Sequence, residues 1–361
     1  MAGDAFFVAA SRGRGTFANV LLICQPGFEA LLAREVTELH RGAVAAQGPG
    51  WAQTDVDVPG SAFTHLALFE PIEIRGDSVN ALAKQVGDFF LASLRGERIE
   101  QAWPNLWQGP AELVGLGRRI SAVEAAFDEL LKKRLSRVAR LSVPELPRGP
   151  GRVRGLFVFF VDFNRALVAR EARAHGQRRM ADDELAPSRS YLKVEEAFQV
   201  LGREPQPGET VCDLGAAPGG WSYSAAKRGA RVLALDNGPL KGGALNHPLI
   251  EHRCSDAFRF RPAFAMASDG RPAAGETFDW LFCDLVEEPP HVLQHIVEPW
   301  LTQRWCRRFV VNLKFGRVDA IALLAELRAP ESPLTRCAPG TTIRHLYHDR
   351  EELTLIGECT A

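Results

Sequence analysis

The sequence lacks any apolar run long enough to cross a bilayer, which takes about 20 consecutive residues. Its longest obvious apolar run, Gly155 to Val161, has the length of a β-strand, so we expect no membrane contact. The seven cysteines are scattered and never form a C-x-x-C pair, which argues against a zinc site and a disulfide framework. We therefore expect a cytoplasmic protein with reduced thiols and no bound metal.

The chain also lacks an excess of charge, since 43 Lys and Arg residues stand against 44 Asp and Glu residues. This balance argues weakly against a nucleic-acid partner, but the charges are unevenly distributed. Between Arg118 and Arg179, fifteen lysines and arginines stand against six acidic residues, a local net charge of +9. We call this stretch the basic region. It can attract the phosphates of a nucleic acid, although charge alone is equally compatible with solvated helix faces.

Strand and helix signals divide the 361 residues into three units. Residues 1–76 carry a strand at Val20–Cys24, a helix at 28–40 and strand-like runs at 50–56 and 67–74, which suits a small α+β unit. Residues 77–180 carry helical stretches at 79–91 and 121–140 and a hairpin around Phe163-Asn-Arg165.

Residues 186–361 alternate strands and helices, which predicts a doubly wound α/β domain with a parallel sheet. We place strands at 209–214, 231–236, 249–254, 279–284, 308–314, 342–347 and 352–357, and helices at 192–202, 219–228, 290–305 and 317–328.

The run from Val211 to Ser224 predicts a buried strand, a glycine-rich turn and a helix. The next strand ends on Asp236, 21 residues beyond Gly215, where nucleotide-binding α/β folds place an acid that accepts bonds from ribose hydroxyls. The turn is neither G-x-G-x-x-G nor a phosphate loop with a lysine. Its residues Asp213, Gly215, Pro218, Gly219 and Gly220 match the D-x-G-x-x-P-G-G turn of S-adenosylmethionine methyltransferases. The alternative is a tight turn with no ligand.

Charged residues follow the predicted strands at the edge where such sheets bind ligands. Asp284 and Lys314 each end an apolar run, Lys193 opens a helix and Glu352 begins the last strand. A lysine that closes a buried strand is costly unless it is paired or functional. We therefore expect two lysines and two carboxylates to converge at one face, with an ordinary salt-bridge cluster as the alternative.

Methyl transfer to a hydroxyl requires an in-line donor, a hydroxyl at near-attack distance and a base, and a neutral lysine amine can be that base. Two other methyltransferase chemistries fit less well. The Glu288-Pro-Pro-His291 sequence lies four residues past the strand end, too far for gripping a base amino group, and no Pro-Cys pair supplies a carbon-5 nucleophile. Cys283 should point away from the face that Asp284 uses.

Lys193, Asp284, Lys314 and Glu352 match, in order and context, the K-D-K-E tetrad of FtsJ-type RNA 2′-O-ribose methyltransferases, which the chain resembles most strongly over residues 186–361. The resemblance implies a ferredoxin-like unit, a THUMP domain that binds RNA, and a cytidine in 23S ribosomal RNA as acceptor. It also implies that Lys314 accepts the proton. By position, the implied S-adenosylmethionine contacts are Ser190, Ala217, Pro218, Gly219, Gly220, Asp236, Asp256 and Asp284.

One departure from the family is the loop Phe315-Gly-Arg-Val318, which replaces a more basic segment after the catalytic lysine. The competing class is a non-catalytic RNA-binding or ribosome-assembly protein that keeps the cofactor fold. A complete tetrad beside an intact glycine turn favours the enzyme, which we expect to act as a monomer.

Overall fold

The computed structural model describes residues 19–94, 96–262 and 277–360. The first eighteen residues of the predicted unit 1–76 therefore lie outside the described residues. Two sheets organise the rest, one of nine strands from the N-terminal half and one of seven strands from the C-terminal half. No helix within the described ranges is both long enough and apolar enough to cross a membrane.

The N-terminal sheet combines strands from both predicted N-terminal units, in the order β2-β3-β1-β4-β9-β8-β6-β7, with β5 also on β9. Its elements are β1 (Val20–Ile23), α1 (Glu29–Arg34) continuing into a π-helical turn (Glu35–Leu39), β2 (Val44–Gly48), β3 (Trp51–Thr54), β4 (Leu66–Phe69), β5 (Ile72–Arg75), α2 (Val79–Leu94), β6 (Trp103–Gln108), α3 (Leu116–Arg134), α4 (Ser136–Arg140), β7 (Ser142–Val143), β8 (Gly151–Phe160) and β9 (Arg165–Ala174).

The long strand β9 joins the two predicted units. Its C-terminal half pairs with β4, with Leu66 opposite Ala174, and its N-terminal half pairs with β5, with Ile72 opposite Val168. The run that we predicted as one strand at 67–74 is therefore two strands. Glu70 between them has a positive φ of 47°, which breaks the extended backbone.

Helix α3 buries one face and leaves the other in solvent. Its buried residues Leu116, Ile120, Val123, Phe127 and Leu131 recur every three or four positions, which places them on one stripe. The stripe packs with α2 and the sheet in one apolar cluster. The cations at its C-terminal end lie outside that stripe and are exposed, where they also suit the negative end of the helix dipole.

The C-terminal sheet has the order β12-β11-β10-β13-β14-β16-β15. Its elements are α5 (Tyr191–Leu201), β10 (Thr210–Leu214), α6 (Gly220–Ala226), β11 (Arg231–Leu235), β12 (Ile250–Arg253), β13 (Phe278–Cys283), α7 (Pro289–Val292), a π-helical turn (Leu293–Val297), α8 (Glu298–Thr302), β14 (Cys306–Lys314), α9 (Ala320–Leu327), α10 (Pro333–Cys337), β15 (Thr342–Arg344) and β16 (Glu352–Glu358).

Each of the seven strands predicted for this domain is present, and the doubly wound α/β class is confirmed. The first five strands in that order pair in parallel. Our expectation of a parallel sheet was wrong for the last two, because β16 pairs antiparallel with both β14 and β15. This arrangement brings the end of β14 and the start of β16 to the same edge of the sheet.

The two halves share a core and a buried polar network. Val20 and Leu22 of β1 belong to the same apolar cluster as Leu313 of β14. The fully buried Glu35 carboxylate accepts a hydrogen bond from Ser61 Oγ of the same half at 2.7 Å. It also accepts one from Arg328 of the C-terminal domain at 3.0 Å, and this bond connects the two halves. Although burial opposes ionisation, the pKa of Glu35 is lowered to about 2, because these partners stabilise its charge. The N-terminal half is therefore fixed against the C-terminal domain.

Candidate active site

The glycine-rich turn connects β10 to α6 through backbone conformations that suit glycine. Gly215 and Gly219 have positive φ values of 78° and 105°. A Cβ added to Gly219 would lie 2.5 Å from Cβ of Ala244, and one added to Gly215 would lie 2.6 Å from a methyl group of Leu285. These close contacts exclude larger residues from both positions.

Asp236 follows β11 and its carboxylate is fixed beside this turn. One oxygen accepts from Ala217 N at 3.0 Å and the other from Gly238 N at 2.7 Å. A Cβ on Gly238 would come within 3.2 Å of the Asp236 carboxylate, so a side chain there would crowd it. The carboxylate keeps further lone pairs for a ligand, because an ionised carboxylate offers about four acceptor sites.

Ser190 and Asp256 lie on either side of the turn along the chain. A Cβ on Gly220 would lie 3.2 Å from Ser190 Oγ, so the serine hydroxyl borders the glycines, while Ser190 O accepts from Trp221 Nε1 at 2.9 Å. Asp256 follows the carboxyl end of β12, and its side chain accepts from Phe258 N at 2.9 Å.

Asp213, the acid of the glycine motif, is 1% exposed within β10. Burial raises its pKa to about 7, and the charges of Asp284 and Asp236 add to that effect. Ser222 Oγ donates to the Asp213 carboxylate at 2.6 Å, which ties the strand to helix α6.

S-adenosylmethionine fits these residues as they stand. The glycine-rich turn carries no bulky side chain, and Asp236 beside it presents carboxylate oxygens at the place where ribose hydroxyls need acceptors. The turn and the acid lie at the carboxyl ends of neighbouring parallel strands, β10 and β11, where open α/β sheets bind ligands.

The four predicted tetrad residues converge and form a closed ring of ion pairs. Lys314 Nζ lies 2.6 Å from Asp284 Oδ1 and 3.7 Å from Glu352 Oε1. Lys193 Nζ lies 2.6 Å from Glu352 Oε2 and 3.5 Å from Asp284 Oδ2. Each lysine thus lies between the same two carboxylates, and each carboxylate between the same two lysines.

The fold places these side chains through three strand ends and one helix. Lys314 ends β14 and is directly opposite Glu352, the first residue of β16, in the antiparallel register. Asp284 follows the neighbouring strand β13, and Lys193 lies in the first turn of α5. Cys283 points into the apolar core, as the alternation along a strand predicts.

The four members of the ring differ in exposure. The side chain of Lys314 is 25% exposed and that of Lys193 only 11%. Burial acts to lower the pKa of Lys193, but Asp284 and Glu352 outweigh it and raise the pKa above its ordinary value. Lys193 is therefore a fixed cation, and Lys314 is the lysine that a substrate can reach.

Two buried acids that sequence reasoning missed support the ring. Asp349 is 2% exposed and accepts from Leu346 N and Thr354 Oγ1, each at 2.9 Å. Burial raises its pKa to about 8, and the nearby charge of Glu352 adds to this. The signal in the sequence that could have identified Asp349 was its position in a turn, three residues before Glu352.

Glu196 is the second missed acid. It is fully buried on α5 and accepts from Arg178 N, Tyr347 N and His348 N at 3.0–3.2 Å. Burial, its largest influence, raises its pKa well above the ordinary value despite these bonds. The signal was a carboxylate three residues after Lys193 in a mostly apolar helix.

The histidines do not join the ring. His345 is fully buried, and its Nε2 lies 2.7 Å from Arg350 O. His291 and His295 contact each other with ring centroids 4.4 Å apart. Within the described ranges, no group of three or more His, Cys, Asp or Glu side chains could hold a metal ion.

The family model and the known proteins that are similar to this chain are named as methyltransferases. Residues 186–319 match the model of the FtsJ-like methyltransferase family. The ribosomal RNA large subunit methyltransferase M of Chromohalobacter salexigens is 32% identical over 375 residues, which cover 93% of this chain and 96% of that protein. The protein of the same name from Azotobacter vinelandii is 32% identical, covering 93% and 97%. The one from Laribacter hongkongensis is 37% identical over 66% of each chain.

The matches to the relatives extend across both sheets. The glycine turn, Lys193, Asp284 and Lys314 lie within the region of the family model, whereas Glu352 lies outside it. The chain belongs to the ribosomal RNA large subunit methyltransferase M family and is an S-adenosylmethionine-dependent methyltransferase.

Proposed function

We propose that this enzyme methylates the ribose 2′-hydroxyl of a cytidine in 23S ribosomal RNA, with Lys314 as the general base. The observation that carries the proposal is the ring of two lysines and two carboxylates at the carboxyl edge of the sheet. The names of the relatives support large-subunit RNA as the substrate. The cytidine and the 2′-hydroxyl rest on the resemblance to the FtsJ-type tetrad.

A cavity of about 520 Å³ opens on the accessible side of the ring, a size typical of ligand sites. Lys314 and Glu352 form part of its wall, together with Val286, Arg317 and Arg350. Val286 is 87% exposed, which is unusual for an apolar side chain at such a place. We assign this cavity to the acceptor nucleotide.

In the proposed reaction S-adenosylmethionine supplies an electrophilic methyl group when it is bound, so the protein needs no covalent nucleophile. Asp236 would hold the ribose of the cofactor, and Ser190, Asp213, Gly215, Ala217, Pro218, Gly219, Gly220, Asp256 and Asp284 would complete its site. The turn and the tetrad flank the ends of β10 and β13, which are neighbours in the sheet. The chain would thereby hold donor and acceptor in one crevice.

Lys314 would take the proton from the 2′-hydroxyl at its Nζ. It must enter the step as a neutral amine, because an ammonium group has no lone pair. Asp284 and Glu352 keep the amine oriented, since they bracket it at 2.6 and 3.7 Å.

The basic region would hold the RNA. Eight of its cations already form ion pairs, for example Arg154 with Glu97 and Glu171, and Arg173 with Asp57. Arg119 forms no ion pair but donates hydrogen bonds to Asn164 Oδ1 and to backbone carbonyl groups. Six exposed cations have no side-chain ion pair or hydrogen bond within the described part of the chain, namely Arg118, Lys133, Arg137, Arg140, Arg148 and Arg179. We propose residues 77–180 as an RNA-binding THUMP domain whose phosphate contacts come mainly from these six.

Mapping 2′-O-methyl groups tests the proposed reaction. The full chain is incubated with S-adenosylmethionine and unmodified large-subunit RNA, and the modified positions are read by reverse transcription at low nucleotide concentration. We expect one modified cytidine with the wild-type chain and none with Lys314→Ala. A methyl group on a base, or on a ribose other than cytidine, contradicts the proposal.

A further inference from the structure

A groove lies where the N-terminal sheet meets the C-terminal domain, away from the cavity beside the tetrad. It consists of two cavities of about 460 and 240 Å³. Both are lined by Gln108, Arg179 and Tyr347, so they adjoin each other. We call the pair the junction groove.

The larger cavity has the character of a site for a flat, partly polar ring. The half-buried Trp107 lines it, with its Nε1 donating to Asn105 Oδ1 at 2.8 Å, which fixes the indole. Helix α3 contributes Glu124, a half-buried carboxylate with no ion-pair partner among the described residues. Gln108 adds an amide, so the cavity combines an aromatic ring with hydrogen-bonding groups suited to the edge of a nucleobase.

The smaller cavity has the character of a site for phosphate. Arg148, Arg178 and Arg179 line it, against one acid, Glu145, which pairs with Arg178 at 3.6 Å. Arg148 and Arg179 are exposed and have no ion-pair partner within the described ranges. Two free guanidinium groups beside a narrow groove attract phosphate groups and can bind them in bidentate fashion.

Tyr347 separates the two cavities and carries an arginine on its ring. The guanidinium carbon of Arg179 lies 5.1 Å from the ring centroid of Tyr347, and the His65 ring packs against the tyrosine at 4.1 Å. Successive aromatic and arginine groups along a positive groove are the features by which proteins bind single-stranded nucleic acid.

We propose that the junction groove binds a single-stranded segment of RNA, with one base in the larger cavity beside Trp107 and its flanking phosphates on Arg148 and Arg179. This inference deepens the proposed function and rests on it in taking RNA as the ligand. A protein partner fits less well, because the free side-chain charges of the smaller cavity are both positive and the larger cavity presents the indole of Trp107, which its hydrogen bond to Asn105 holds in place.

The groove is connected to the tetrad through buried hydrogen bonds. Tyr347 N and Arg178 N both donate to the carboxylate of Glu196, at 3.0 and 3.1 Å. Glu196 lies one turn after Lys193 on α5, and Tyr347 lies five residues before Glu352. A segment bound in the groove contacts Tyr347 and Arg178, whose backbone N–H groups bond to Glu196 one turn from Lys193, so it can set the register of the RNA at the catalytic ring.

Single substitutions of exposed arginines test the groove without removing core side chains. Arg148→Ala and Arg179→Ala are compared with Arg231→Ala, an exposed cation at the amino end of β11, on the opposite edge of the sheet from the tetrad. The probe is the unmodified large-subunit RNA, with KM for RNA and kcat measured at several salt concentrations. We expect each groove variant to raise KM about tenfold and to flatten the log–log salt dependence of RNA affinity by about 0.7, the value for one contact to single-stranded RNA.

The control variant should match the wild type in KM, and all three variants should keep wild-type affinity for S-adenosylmethionine in calorimetry. Groove variants whose KM and salt dependence equal those of Arg231→Ala overturn the inference, while methylation by the wild-type chain leaves the proposed function standing.

Photo-cross-linking tests whether RNA binds in the junction groove, and it does not depend on methyl transfer. A single-stranded 12-nucleotide RNA carrying 4-thiouridine is irradiated with the full chain, and the cross-linked peptide is identified by mass spectrometry. Cross-links to the peptides that contain Trp107 or Tyr347, competed by single-stranded but not by duplex RNA, support the inference. Cross-links confined to other peptides contradict it, even if the chain were to methylate a different substrate.

Discussion

The tetrad and the basic region use charge in opposite ways. In the tetrad, four side chains that are 10–25% exposed form a closed ring in which every charge has two neighbours of opposite sign. In the basic region, six exposed cations have no ion pair within the described residues. Paired charges in a partly buried site act over a few ångströms and set geometry. Exposed unpaired cations act up to the Debye length of about 8 Å at physiological salt and attract anions over that distance.

The comparison teaches how one neutral chain can both attract an anion and perform chemistry on it. Attraction requires cations that are free to neutralise phosphates, and the basic region carries six of them within the described residues. Proton transfer requires an amine whose position is fixed, and the ring fixes it with two carboxylates. Variants in the two regions should therefore fail in different measurements.

The largest loss of activity is expected for substitutions of Lys314. Lys314→Ala should reduce kcat by a factor of about 10² to 10⁴, the usual contribution of a general base, and leave S-adenosylmethionine affinity within a few fold. Lys314→Arg should fail as well, because a guanidinium group does not lose its proton near neutral pH. Single-turnover methyl transfer measures both variants, and robust activity of Lys314→Arg would remove this lysine from the role of base.

Variants at Asp236 distinguish the cofactor site from the acceptor site. Asp236→Ala should weaken S-adenosylmethionine binding about tenfold to a hundredfold in calorimetry, since charge-assisted hydrogen bonds contribute roughly 1.5–3 kcal/mol. Asp236 also accepts from Ala217 N and Gly238 N. Asp236→Asn, which keeps one acceptor oxygen, should therefore lose less, and equal affinity of the alanine variant and the wild type would argue against this cofactor pocket.

Within the basic region, free and paired cations can be compared at equal charge. The double variant Arg137→Ala/Arg140→Ala removes two free cations, and Arg152→Ala/Arg154→Ala removes two that pair with Asp57, Glu97 and Glu171. The first should lower the log–log salt slope of RNA binding by about 1.4, at roughly 0.7 per contact. The second should lower it less. Equal slopes for both would mean that only net charge matters.

A fragment that begins at Leu185 is a poorer test of RNA binding than these variants. The N-terminal half contributes Val20, Leu22 and Leu32 to an apolar cluster shared with the catalytic domain, and Arg328 pairs with the buried Glu35. The fragment would expose that surface, so loss of activity could follow from instability alone.

The last effect concerns stability rather than activity, and it is measured through the pH dependence of unfolding. The pKa of Asp349 is raised to about 8, so the folded protein retains a proton that the unfolded chain releases above about pH 4. The free energy of unfolding should therefore fall as pH rises through that window, by up to about 1.4 kcal/mol per pH unit for one proton. Asp349→Asn should remove this contribution. Denaturant titrations from pH 5 to pH 8 measure it, and parallel curves for variant and wild type would contradict it.

Features that depend on neighbouring residues could be predicted from sequence. The glycines of the turn, the apolar runs of the seven C-terminal strands and the positions of Asp284 and Lys314 at strand ends all follow from local backbone preference and periodicity. Of the tetrad, the convergence of Asp284 and Lys314 also followed, because the carboxyl ends of parallel strands meet at one edge of a sheet. Glu352 reaches that edge because β16 pairs antiparallel with β14, which the sequence did not predict. The roles assigned to the members of the tetrad remain predictions.

Other features depend on residues far apart in sequence. Nothing local distinguishes Arg154, which pairs with Glu97, from Arg148, which is free, and our sequence-based view treated the fifteen cations alike. Glu196 was missed because it accepts from backbone N–H groups of distant segments. Asp349 was missed because its burial depends on the elements that pack around its turn. The split of 67–74 into β4 and β5 depends on the long strand β9, which pairs with both.

The sequence by itself thus determined the cofactor turn, the positions of the catalytic strands along the chain and the identity of the four charged residues of the tetrad. Only the tertiary structure decided which lysine is accessible, which cations are free and how the N-terminal sheet attaches to the catalytic domain. The physical reason is range. Backbone conformation and side-chain periodicity are set within a few residues, whereas ion pairing and burial depend on distances between atoms of residues that can be tens to hundreds of positions apart in the chain.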